Sequence, residues 1–248
     1  MSGSANDCGA AEPIVRGSRV AFFGGSFDPP HLGHLAVART ARAAFRLDQV
    51  LFAPVGVQPL KPEGPCADFA DRVAMTRLAI ADEPGFAVSL ADAPKPDGTP
   101  NFTLETLTEL RAGLGSGGAL FCLMGADSFA SLRRWHRAAE VPFVAALIVA
   151  SRPGEPLDAL QDSLPLELKL ESAPDADGLL SGVAIRTFEL TNRAGDRAPF
   201  YVLPGLDVRI SATEIRNEIR ARSSRALDRQ AEVPSDVAEY VRAHRLYR

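Results

Sequence analysis

The segment Gly24-Gly25-Ser26-Phe27-Asp28-Pro29-Pro30-His31-Leu32-Gly33-His34 packs glycines, a hydroxyl, a carboxylate and two imidazoles into one short stretch. Glycines let a backbone approach a ligand closely, and a helix that starts after them turns unpaired N–H groups and a partial positive charge toward a phosphate. His31 and His34 are three residues apart, so within one helical turn both project to the same side, and Gly33 leaves that side uncrowded. The chemistry is that of an anion cradle carrying imidazoles. A plain glycine turn with incidental histidines and a metal-binding pair are the alternatives, the latter thin without nearby carboxylate or Cys ligands. The spacing is not GxGxxG and no Gly-Lys-Ser/Thr occurs, which sets aside the dinucleotide fingerprint and the P-loop.

A second constellation is Ile210-Ser211-Ala212-Thr213-Glu214-Ile215-Arg216. Its hydroxyls and guanidinium gather at an expected helix start, where Ser caps or binds phosphate oxygens and Arg adds a charge-assisted fork. Taken alone its default reading is an ordinary N-cap with a surface arginine, and it is the pairing with the histidine loop in an α/β chain that favours a phosphate site.

These residues need a scaffold, and the hydrophobic periodicity supplies one. Val20 to Phe23 is a continuous apolar run stopped by Gly24-Gly25, and the period becomes helical from Leu35 to Phe45. Val50 to Ala53, ended by Pro54, is a second strand, followed by a helical pattern from Phe69 to Ile80. Strands at Phe86–Leu90, Ala119–Met124 and Val144–Ala150 alternate with helices at Phe102–Leu114 and from Asp127 to about Arg134. After a degraded stretch the pattern resumes with Tyr201-Val202-Leu203, a helix at about Ala212–Arg222 and an amphipathic one at Ser235–His244. This alternation predicts an α/β fold, a doubly wound parallel sheet with helices on both faces and a C-terminal helical segment. In such a sheet the histidine loop lies at the carboxyl edge of the first strand, where ligands bind.

At 248 residues, 46% hydrophobic and 23% charged, the chain has material for one ample core. The expected organisation is a disordered leader at 1–18 and a single domain at 19–248, with an insertion at about 151–199 that is rich in Pro, Asp and Gly and holds a strand-like run at Val183–Leu190. A net charge of -4 argues against a surface that tracks nucleic acid. Residues 209–248 carry nine arginines against six acidic residues, which directs an anionic ligand toward that end. Three cysteines without CxxC pairing, no signal-peptide pattern and no apolar run long enough to span a bilayer lead us to expect a cytoplasmic protein without membrane or nucleic-acid partners. A homo-oligomer is left open.

GGSFDPPHLGH together with ISATEIR resembles the class I nucleotidyltransferases, which carry an HxGH loop and an ISSTxxR-like segment. Leu123-Met124-Gly125-Ala126-Asp127-Ser128-Phe129 with Trp135-His136, Pro100 to Leu107, and Val233-Pro234 through Tyr247 narrow the resemblance to nicotinate mononucleotide adenylyltransferases. It spans Arg19 to Tyr247, sparing the insertion. Where that family commonly carries a Pro-Pro-His-Lys-like run, this chain has Gln58-Pro59-Leu60-Lys61.

The resemblance implies a Rossmann-like fold and transfer of the adenylyl group of ATP, with Mg2+, to nicotinate mononucleotide. His31, His34 and Arg216 would carry the catalysis, with Gly24, Gly25, Ser26, Gly125, Asp127, Ser211 and Thr213 joining them on ATP. Phe27, Lys61, Thr103 and Trp135 would meet the mononucleotide, and no protein side chain would be a metal ligand. Preference for the amidated mononucleotide is the rival within this chemistry, and a non-catalytic nucleotide sensor is the rival outside it. The chemistry needs no general base, because a phosphate monoester with a second pKa near ~6 is already an anion at neutral pH.

Overall fold

The computed structural model describes residues 15–60, 63–151, 157–180, 182–203, 210–221 and 232–248. An eight-stranded sheet runs through them, formed by β1 (Arg19–Gly25), β2 (Gln49–Pro54), β3 (Phe86–Val88), β4 (Ala119–Gly125), β5 (Ala146–Ala150), β6 (Lys169–Leu180), β7 (Val183–Thr191) and β8 (Arg197–Leu203). Their order is β3-β2-β1-β4-β5-β8-β7-β6. The first six in that order pair in parallel, and β7 and β6 add in antiparallel fashion beside β8.

The chain leaves β1 toward β2 and β3 on one side and returns to β4 on the other, with Phe23 opposite Leu123 in the ladder. The strand order therefore reverses between β1 and β4, and a crevice opens beyond their carboxyl ends.

Side-chain alternation divides the core between the two faces. Ala21 and Phe23 of β1 face a cluster with Leu35, Ala38, Met75, Ile215 and Val237, supplied by α1 (Leu32–Phe45), α2 (Phe69–Ile80), α7 (Ala212–Ala221) and α8 (Ser235–Ala243). Val20 and Phe22 face a second cluster with Leu104 and Leu107 of α3 (Thr103–Leu114) and Val141 of α5 (Val141–Val144). In α1 the buried residues Leu35, Ala38, Ala41 and Phe45 follow the helical repeat.

Several sequence-based boundaries shift. The helix expected from Asp127 to Arg134 is a short α4 (Ala126–Phe129) and a separate 3-10 turn, Leu132–Arg134. Ser131 breaks it, donating its hydroxyl to the Ser128 carbonyl at 2.8 Å in competition with the helical ladder. Val144 belongs to α5, which opens with Pro142 near its start, so β5 begins at Ala146. The stretch read as an insertion holds α6 (Leu157–Ser163) and the β6–β7 hairpin. Only β7 had a readable apolar run, and Gly182, with φ +81, sits in the hairpin connection. The stretch read as a leader overlaps the described chain at 15–18, a turn whose Gly17 N–H donates to the Leu114 carbonyl at 3.1 Å.

Candidate active site

The histidine loop leaves β1 at Gly25 and enters α1 at Leu32, with His31 as the residue before the helix. A Cβ on Gly24 would stand 2.8 Å from the Phe22 ring, so that position admits no side chain without displacing it. Phe27 takes a left-handed φ of 46°. Its ring is 2% exposed and packs on Phe23, Phe52 and His34 at centroid distances of 5.6, 5.5 and 5.0 Å. The ring expected on the mononucleotide is therefore largely taken up in propping His34.

His31 and His34 come together as the spacing predicts, their rings stacked with centroids 3.7 Å apart. The His31 N–H donates to Nδ1 of His34 at 3.2 Å. Burial pushes the His31 imidazole down to about 4, and burial together with the His31 charge holds His34 well below the ordinary histidine range. Nδ1 of His31 is buried without a hydrogen-bond partner. Two neutral, desolvated imidazoles at the mouth of a helix are poised to gain protons or donate hydrogen bonds when an anion arrives.

Arg216 of α7 reaches the same loop. Its Nη1 donates to the Asp28 carbonyl at 2.7 Å and its Nη2 to Thr213 Oγ1 at 3.1 Å, while Nε is buried without a partner. The Asp28 carboxylate, 4% exposed, accepts from Cys66 N–H at 2.6 Å, Ala67 N–H at 3.1 Å and the Tyr247 hydroxyl at 2.7 Å. Behind this layer the guanidinium of Arg72, 1% exposed, donates to the carbonyls of Ala67, Ser26 and Val55 at 3.2, 2.8 and 2.8 Å. One buried cation thus binds the loop after β1, the loop after β2 and the approach to α2. Burial of that cation without a facing carboxylate hydrogen bond lowers its proton affinity.

The far side of the crevice is built from the loops after β2 and β3 and the start of α3. Asn101 clamps them: its Oδ1 accepts from Val57 N–H at 3.1 Å and its Nδ2 donates to the Ala93 carbonyl at 3.0 Å. Gly56 is required there, since a Cβ would fall 2.4 Å from the Pro94 nitrogen. Asp92 is buried, accepts the Thr106 hydroxyl, and is raised above the ordinary carboxylate range by burial. Thr103 opens α3. Trp135 is half-buried, its Nε1 donating to Ser131 Oγ at 3.2 Å, and next to it His136 packs on Phe102 at 4.4 Å.

These walls enclose a cleft of about 1220 Å³. It is lined by Gly24, Gly25, Ser26, Phe27, His31 and His34 of the first loop, Gly125 and Asp127 after β4, Thr103 and Trp135 on the far wall, and Ser211, Thr213 and Arg216 at α7. Every site residue read from the sequence is there except Lys61, which lies outside the described residues. The buried supports Arg72, Asn101, Asp92 and Tyr247 were missed. Asn101 and Tyr247 fall in the segments that carry the resemblance, whereas nothing distinguishes Arg72 from Arg77 in the pattern of α2.

Comparison with known proteins is consistent with this geometry. A family described as cytidylyltransferase-like matches residues 22–218. A probable nicotinate-nucleotide adenylyltransferase of Laribacter hongkongensis is 36% identical over 92% of this chain and 94% of its own. Its counterpart in Roseiflexus sp. is 36% identical over 92% and 98%. This chain belongs to the nicotinate-nucleotide adenylyltransferase family. A solved structure of Plasmodium falciparum nicotinic acid mononucleotide adenylyltransferase complexed with NaAD shares the fold, with a TM-score of 0.65 at 13% identity over 93% of this chain and 97% of that one.

Proposed function

We propose that the protein transfers the adenylyl group of ATP to nicotinate mononucleotide, giving nicotinate adenine dinucleotide and pyrophosphate. The observation that carries this reading is the convergence of the stacked imidazoles, the α1 start and Arg216 at the switch point of the sheet, opposite a wall that presents Trp135 and the start of α3. The names of the relatives specify the same acceptor.

A phosphate oxygen of the mononucleotide attacks the α-phosphorus of ATP in line, the new P–O bond forming as the bond to the β-phosphate bridging oxygen breaks. His31 and His34 neutralise charge growing on the α-phosphate, and Gly24, Gly25 and Ser26 let the triphosphate lie against the backbone. Ser211, Thr213 and Arg216 receive the departing pyrophosphate. Asp127 accepts from ribose hydroxyls beside Gly125. Trp135 stacks on the pyridine ring, the α3 start at Thr103 faces its carboxylate, and Lys61 is assigned to the mononucleotide from the sequence alone.

Among the described residues no group of three or more His, Cys, Asp or Glu is placed to hold a metal. The donors of the cleft fit the phosphates of ATP, and Mg2+ bound with the nucleotide would supply further charge neutralisation there. No described helix is long and apolar enough to cross a membrane. Action in the cytoplasm and a single domain at 19–248 belong to the same proposal.

The test is product identification after incubation with ATP, Mg2+ and nicotinate mononucleotide. The expected result is equimolar dinucleotide and pyrophosphate by chromatography and mass spectrometry. ATP consumption without dinucleotide would contradict the assignment.

A further inference from the structure

The Asp28 carboxylate is nearly water-free and lives on three donors, two backbone N–H groups from residues 66 and 67 and the hydroxyl of Tyr247, 219 residues along the chain. Tyr247 is itself buried, at a left-handed φ of 62°, and the turn that delivers it is fixed by the Leu246 N–H bond to the Val241 carbonyl at 3.1 Å. Arg216 stands beside the same carboxylate in a long ion pair that is not closed into a hydrogen bond: Nη1 is 3.8 Å from Oδ2 while it bonds the Asp28 carbonyl at 2.7 Å, and its Nε is buried without a partner. A buried carboxylate deprived of one donor takes the nearest replacement, because leaving it short costs more than rearranging a side chain. Here the flanking cation that can close on the carboxylate is the Arg216 guanidinium, already 3.8 Å from Oδ2.

We infer that Tyr247 is a positioning residue for pyrophosphate recognition: its hydroxyl satisfies Oδ1 of the Asp28 carboxylate and thereby keeps the long Arg216–Asp28 ion pair from closing into a hydrogen-bonded one, leaving the remaining guanidinium N–H groups to the cleft that Arg216 lines. The inference rests on the assignment of Arg216 to the pyrophosphate subsite. It gives the C-terminal segment a role in the site that packing alone does not require, since phenylalanine would fill the same space.

The experiment measures the dissociation constant of inorganic pyrophosphate with Mg2+ by calorimetry, for the wild type, Tyr247→Phe, Arg216→Lys and the double variant, with circular dichroism as a check on folding. Tyr247→Phe should weaken pyrophosphate about tenfold, the scale of one hydrogen bond to a charged group, and lower kcat with little change in the mononucleotide KM. In the Arg216→Lys background, where the fork is already lost, the same change should have less than about a twofold effect. Equal weakening in both backgrounds, or none in either, would overturn the inference. Because the readout is pyrophosphate binding, it stands apart from the identity of the acceptor: a wild type that binds pyrophosphate but forms no dinucleotide would defeat the functional reading and leave this result to be judged by itself.

Discussion

His31 stacks on His34 at 3.7 Å between ring centroids and at the same time donates its N–H to the Nδ1 of His34. That bond requires an unprotonated Nδ1, so the neutral His34 ring carries its hydrogen on Nε2 and presents a donor from its other edge. Both imidazoles are driven neutral by burial, His31 down to about 4 from 6.5. A bound polyphosphate favours the charged forms and reverses the shift. ATP binding should therefore take up protons in the interval between about pH 4 and the raised value in the complex, and affinity should strengthen as pH falls through it. Calorimetry near pH ~6 in buffers of different ionisation enthalpy measures the uptake, and His31→Asn should reduce it. The titration of ATP itself is common to both proteins, so an identical uptake would contradict the assignment.

His34→Ala should keep the fold, since the strand and helix that flank the loop are held by their own buried residues, and lower kcat by about a hundredfold or more, the scale of losing a donor aimed at developing charge. Near-normal turnover in a steady-state assay would refute its role.

Arg72→Met removes the single donor group shared by Ser26, Val55 and Ala67. Three carbonyls lose their partner at once, and the expected loss of stability is about 3 kcal/mol or more. A urea midpoint within error of wild type would show that these loops are held by other contacts.

Trp135→Ala should raise the mononucleotide KM about tenfold to a hundredfold, as expected for losing one stacked ring, with the ATP KM little changed. An unchanged mononucleotide KM would defeat the stacking assignment.

The first loop was legible because glycines end an apolar strand and the helical period starts just beyond them, so strand, loop and helix are encoded within one continuous segment. The same local signal placed Ser211, Thr213 and Arg216 at the start of α7. Tyr247 and Asp28 meet across 219 residues, and no local pattern carries such a contact. Arg72 was overlooked because its sequence neighbours announce a helix without revealing that the guanidinium side is sealed by three loops. The β6 strand was hidden by its composition, since Pro, Asp and Gly read as loop, and its pairing with β7 shifts register between Ser172 and Asp177. The helix expected over Asp127–Arg134 failed at Ser131, whose hydroxyl serves both the Ser128 carbonyl and the Trp135 indole.

The most direct test is pyrophosphate release from ATP and Mg2+ with nicotinate mononucleotide and, separately, with its amide, compared as kcat/KM. The account predicts release that depends on the mononucleotide and strongly favours the acid. A preference for the amide, or binding of ATP without turnover of either acceptor, would contradict it.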